Sequence, residues 1–222
     1  MTPWVPYVVA ALSLVVLGKV WRHSRLGSRQ DFIRGYTLPT GIFPKLQKKH
    51  PELTIKDCQL VAQALRQYFL AYLKSGFRAV AMPSQVVDDL WHEFILYTKI
   101  YDRFCGKAFG RFLHHTPAAV LGTVEAQNVA LRRCWTFACR EEGINPKRPT
   151  RLPLLFAIDR KLNVLGGFQY ALDCKSLGRV DAAGRPVYCG GDMGAGCVGD
   201  SGDASDVSGA SGCTGDGGCS GD

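Results

Sequence analysis

Apolar residues along the chain gather into five patterned stretches separated by glycine, proline and charge. The first, Pro3 to Trp21 (PWVPYVVAALSLVVLGKVW), is apolar on every side and has Lys19 as its one charge. Nineteen residues at ~1.5 Å each reach roughly 28 Å, close to the ~30 Å hydrocarbon core of a bilayer, so a transmembrane helix is expected over 3–21. Trp4, Tyr7 and Trp21 suit the interface, and Lys19, Arg22, Arg25, Arg29 and Arg34 cluster at the far end. That asymmetry places the amino terminus outside and everything after residue 22 in the cytoplasm. A cleaved signal peptide and a buried core helix are the alternatives. Signal peptides, however, carry their positive charge before the apolar run, and here it comes after.

Beyond the span, residues 22–39 mix basic residues with glycine and proline and read as a juxtamembrane linker, leading into a domain over 40–175. Thr54 to Asp57 is a capping box with Asp in place of Glu, and apolar positions 58, 61, 65, 68 and 72 predict a helix to about Lys74. A second helix is expected from Ser84 to about Cys105, with Val87, Trp91, Phe94, Thr98, Tyr101 and Cys105 as its buried stripe. Thr116-Pro117 predicts a third start, running to about Glu142 before Gly143 and Pro146, and Leu154–Leu162 a short fourth helix. No stretch alternates like a strand, so the fold class is all-α, a small helical bundle.

Charge divides the chain in two. All 27 Lys and Arg lie before residue 186, leaving a body of +14, whereas the 34 residues from Cys189 hold twelve Gly, six Asp and no cation. So few large apolar side chains cannot offset chain entropy, and a disordered tail is expected over 186–222. The basic body next to anionic lipid needs no nucleic-acid partner, and none is expected. The expected partners are the membrane and another protein. Walker, Rossmann and nucleophile-elbow patterns are absent from the sequence.

Candidate chemistry concentrates between Asp88 and His115. Asp88 and His92 are four apart, hence on one helix face, and His114 or His115 can return from the following connection as a further ligand. Two or three N/O ligands with an open position suit zinc or iron. His92-Glu93 does not open an H-E-x-x-H site, because position 96 is Leu. The structural alternative has Asp88 and His92 bonded to each other at the core edge, no cofactor, and His114 and His115 satisfying backbone. Cys105 with a histidine is a thiolate pair on paper, yet it ends an apolar stripe, where cysteine acts as a small hydrophobe. The tail cysteines, 189, 197, 213 and 219, are spaced too widely for zinc ribbons, and nine cysteines in a reducing compartment do not imply disulfides.

Residues 87–117, VDDLWHEFILYTKIYDRFCGKAFGRFLHHTP, resemble the bacterial glycine-rich domain-containing proteins, whose core reads D-x-x-W-H-x-F-I-x-x-T-x-x-Y-x-x-F-C followed by F-G-x-F-x-H-H-x-P. Asp88, Trp91, His92, Phe94, Tyr101, Phe104, Cys105, Phe109, Gly110, Phe112, His114 and His115 occupy those positions, and LPLLFAID at 152–159 adds a weaker likeness. The resemblance implies a helical domain over about 40–170 and a glycine tail, and carries no reaction with it; the expected span in a chain like these bacterial proteins points to the inner membrane. Two functions therefore stand open. One is a non-enzymatic interaction module tethered at the cytoplasmic face. The other is a metal-dependent enzyme using His92 with His114 or His115. Trp91, Tyr101, Phe104, Phe109 and Phe112 are expected to build the core rather than a binding surface.

Overall fold

The structure is a computed structural model and describes residues 5–115, 123–172 and 187–189. Seven helices make up most of these residues: α1 (Val5–Gly35), α2 (Ile42–Lys49), α3 (Ile55–Lys74), α4 (Gln85–Ile95), α5 (Thr98–Ala108), α6 (Val124–Glu141) and α7 (Leu154–Lys161). A parallel pair of three-residue strands, β1 (Gln169–Ala171) and β2 (Val187–Cys189), joins Tyr170 to Tyr188. Three residues are too few to display an alternating pattern, so this pair is illegible in a sequence that otherwise reads correctly as all-α. The rest of the tail from 190 lies outside the described residues.

α3 is the central helix. Twelve of its residues are buried, including Gln67, Tyr68, Phe69 and Tyr72, too many for one stripe, because α1, α2, α4, α6 and α7 all pack on it. Its start is the capping box that the sequence announces: Thr54 Oγ1 accepts from the Asp57 N–H at 3.2 Å, and Asp57 Oδ2 accepts from the Thr54 N–H at 2.9 Å.

Three expectations change. The predicted linker is helical to Gly35, because its side chains belong to the core: Ile33 is fully buried, and the Phe32 ring lies 5.8 Å from Phe104. Arg34 Nε donates to Glu141 Oε1 at 2.7 Å, and Lys74 binds the same carboxylate, so α1, α3 and α6 share one ionic clamp. Burial pushes the Glu141 pKa up, but bonds and charge from Arg34 and Lys74 outweigh it and hold the carboxyl below its ordinary range. The span expected over 3–21 begins outside the described residues, and the helix it opens continues without interruption into that basic segment. Among the described residues, no helix is long and apolar enough to cross a membrane.

The single helix expected over 84–105 is two. Tyr97 leaves the helical region (φ −82°, ψ 57°), and its N–H bonds back three residues to Phe94 O at 3.1 Å. This break lets both halves of the stripe face α3, with Phe94 and Tyr101 edge-on at 5.1 Å. The third helix is seen from Val124, its Thr123 side chain accepting from the Ala126 N–H; the start proposed at Thr116 lies outside the described residues.

Aromatic rings fill the space between α3, α4 and α5. The Phe69 ring sits within 5.0–6.5 Å of those of Trp91, Phe94, Phe104 and Phe109. Trp91 Nε1 donates to Tyr101 Oη at 3.1 Å, and that hydroxyl donates to Leu113 O at 2.7 Å. Four of the five motif aromatics are thus core, as expected. Phe112 is not: it is 40% exposed, edge-on to the outer side of Tyr101 at 5.3 Å. Gly110 closes α5 at φ +71°, a left-handed position that accounts for glycine in the motif.

Candidate functional site

The site depends on where α4 begins. Ser84 caps α4 with its own hydroxyl, and a second cap comes from α7. The Asp159 carboxylate, 1% exposed as a residue, accepts from Ser84 Oγ at 2.6 Å and from the N–H groups of Gln85 and Val86 at 2.7 and 3.3 Å. It also accepts from the Phe168 N–H at 2.9 Å. A buried anion facing free N–H groups at a helix start is favourable on both hydrogen-bonding and dipole grounds. One residue thereby joins α7, the 166–168 turn and the first turn of α4, which carries Asp88.

The other side of the site is set by the chain of bonds from Trp91 through Tyr101 to Leu113 O. It holds the segment after α5 so that His115 returns to α4. His115 Nε2 lies 2.9 Å from Asp88 Oδ1, and its ring stands 4.2 Å from the His92 ring and 4.6 Å from Trp91. The ligand atoms of Asp88, His92 and His115 all fall within 4.8 Å of one another. Of the sequence candidates, these three converge. His114 does not; it points the other way, its ring 4.7 Å from Phe112.

Hydrogen bonds fix the proton positions. His92 Nδ1 is 2.9 Å from the Asp88 main-chain oxygen, which can only accept, so Nδ1 carries a hydrogen and Nε2 is the nitrogen left for another partner. Metal-binding histidines are oriented in this way, by a carbonyl on the nitrogen that does not bind. The three side chains are partly open to solvent, His92 the most at 45%. Water therefore has access to any remaining coordination positions. Two imidazoles and one carboxylate are a donor set for zinc or ferrous iron.

Other candidates fall away. Cys105 is fully buried, and burial pushes its thiol pKa up, the opposite of what a nucleophile needs. Cys134 and Cys139 are buried as well, the latter pushed up to about 12 chiefly by burial. Sequence reading missed two polar centres. His50, on the turn after α2, sits with Nε2 2.9 Å from Asp89 Oδ2, and Asp159 is the α4 cap already described. The first has no local signal, since its partners are 39 residues apart. Asp159 is visible as the last residue of LPLLFAID, although nothing in that string says what it caps.

Fold and site together define a mainly helical domain, built on a buried aromatic cluster, with an Asp–His–His group where α4 meets the segment after α5. Within that class, the chain belongs to the UCP032817-like family, whose model matches residues 28–193. The match begins within α1, close to where that helix starts to pack on the domain. It spans the 87–117 motif and LPLLFAID, and it does not identify the glycine-rich family that the motif resembles. No curated protein and no solved structure matches the chain.

Proposed function

We propose that the chain is a single-pass protein of the bacterial inner membrane, akin to the glycine-rich domain-containing proteins, whose helical domain stands at the cytoplasmic face as a non-enzymatic interaction module. The observation that carries this reading is the amino-terminal half of α1. Leu12, Leu14, Val15, Val16, Leu17, Val20 and Trp21 are 55–71% exposed, and at 100° per residue they point in every direction around the axis. A helix that is apolar all round belongs in protein or lipid. Covering a large apolar side chain is worth about 1.5–3 kcal/mol, so these seven together amount to roughly 10 kcal/mol or more, as much as holds many whole domains together. Lipid covers such a surface without a dedicated partner. After alkaline extraction of membranes, the full-length protein should remain in the pellet. Release into the soluble fraction overturns the tether.

A second reading is favoured by the convergence of Asp88, His92 and His115: a divalent metal held there with open positions, the arrangement of a metal-dependent enzyme. Binding would replace the proton that His115 Nε2 donates to Asp88, so metal uptake should release a proton to the medium. Purified full-length protein should carry close to one zinc or iron, and His92→Ala or His115→Ala should lose it while the domain stays folded, with His114→Ala retaining it. Metal-free protein under both aerobic and anaerobic purification, and after incubation with either ion, eliminates this reading.

A further inference from the structure

One end of the bundle is chemically unlike the rest, and the helix directions define which end it is. The Tyr36 carbonyl accepts from Arg66 Nε at 2.9 Å. Further back along α1, the Phe32 ring lies 5.8 Å from Phe104, which is 5.0 Å from Phe69. Further back again, the Arg29 guanidinium covers Gly110 so closely that a Cβ there would come within 2.6 Å of it. Neighbouring Phe109 is edge-on to Tyr72 at 5.2 Å. Moving from Tyr36 to Arg29 thus climbs α3 from Arg66 to Tyr72 and α5 from Phe104 to Gly110. α1 is antiparallel to both, and their closing turns, 75–78 and 109–112, emerge on the side from which the apolar half of α1 departs.

That side is cationic. Arg25 and Arg29 come from α1, Lys107 and Arg111 from the end of α5, and Arg78 from the turn after α3. Lys107 Nζ lies 5.9 Å from the Phe32 ring, and the Arg111 guanidinium 5.7 Å from Phe77, which ties the three elements into one surface. Among the described residues, none of the five forms an ion pair, whereas Lys49, Arg34, Lys74 and Arg151 all do. The exposed ring of Phe112 stands beside them. Arg29 follows Trp21 by eight residues, about 12 Å along the helix at ~1.5 Å each. A headgroup layer is roughly 5–8 Å deep and the Debye length about 8 Å, so the whole surface lies within reach of a membrane entered at Trp21.

We propose that this end of the domain, Arg25, Arg29, Arg78, Lys107 and Arg111 with Phe112 beside them, docks on anionic phospholipid headgroups of the bilayer that α1 enters. The proposal rests on the tethering reading and adds its partner: acidic lipid, not bilayer alone. Each basic residue near such a surface strengthens attachment about fivefold.

Lysine footprinting tests it, because α5 carries its own reference. Lys99 and Lys107 are both exposed, eight residues apart, at opposite ends of one helix. Full-length protein is reconstituted into phosphatidylcholine vesicles, and separately into phosphatidylcholine with phosphatidylglycerol, then floated and treated with a membrane-impermeant amine reagent. Labelling of Lys107 relative to Lys99 should fall about fivefold or more with the acidic lipid. The ratio should recover in high salt, and in the Arg29→Gln/Arg111→Gln variant, which should still float. An equal ratio in both lipids, with flotation intact, overturns the docking surface and leaves the tether standing. Flotation with acidic vesicles alone, with Lys107 protected, supports docking and overturns the tether. Failure to float with either overturns both.

Discussion

Asp159→Ala is expected to be among the most damaging single substitutions in this domain, lowering stability by about 3–5 kcal/mol. The reasoning is local. The carboxylate receives one hydroxyl and three main-chain N–H groups; the bonds from Ser84 and Val86 are buried, and those from Gln85 and Phe168 partly so. Removing it strands donors that each cost about 1–3 kcal/mol when buried without a partner. The sum is of the same order as the roughly 5–15 kcal/mol that holds a typical domain together. Asp159→Asn separates charge from shape. An amide fits the space, but its nitrogen cannot accept, so at least one donor loses its partner and the variant should fall between wild type and alanine. Gly167 offers an independent check. A Cβ there would approach the Asp159 Cβ to 2.7 Å, so Gly167→Ala should destabilise by pushing the turn off the carboxylate. Urea denaturation of the three variants measures this ordering. An Asp159→Ala midpoint equal to that of wild type removes Asp159 as the cap of α4.

Trp91→Ala should cost a similar amount, about 3–5 kcal/mol, by a different route. The indole is 2% exposed, is bracketed by Tyr68 and Phe69 at 5.0 and 6.0 Å, and donates to Tyr101. Truncation leaves a cavity between α3 and α4 and deprives the Tyr101 hydroxyl of its donor. It also loosens the bond to Leu113 that carries the chain back to the site. His92, the next residue, is 45% exposed as a side chain and bonds only to the turn before it. His92→Ala should therefore shift the midpoint by well under half as much. Comparing the two melts tests whether the recognisable motif is mainly architecture with a small polar edge. Equal shifts would assign His92 to the framework and weaken its candidacy as a ligand.

These two residues also mark how far the sequence could be read. Trp91, Phe94, Tyr101 and Cys105 are legible as one buried stripe because helical periodicity is a local property. The capping box at Thr54 and the extent of α7 are legible for the same reason. The break at Tyr97 is not, since both halves keep the same spacing across it and only packing against α3 decides that the helix must turn. Nor is the fate of residues 22–35. Their basic residues suggest a linker, while the contacts that make them core lie on α3, α5 and α6, some 107 residues away in the case of Arg34 and Glu141. In the candidate site, Asp88 and His92 follow from a four-residue step. The choice of His115 over His114 depends on the Tyr101–Leu113 bond, and no local pattern encodes it.

The continuity of α1 has a mechanical meaning. Its 31 residues make a rod of roughly 46 Å at ~1.5 Å each. Gly18 and Gly27 lie within it, and no proline interrupts the stretch from Tyr7 to the domain. Its last turns are cemented into the core by Ile33 and by the shared Glu141 clamp. Whatever holds the apolar half therefore sets the height, tilt and azimuth of the whole domain, as a mast sets its load. A one-residue insertion between Trp21 and Arg25 would raise the domain by about 1.5 Å and swing its Asp88–His92–His115 face through about 100°.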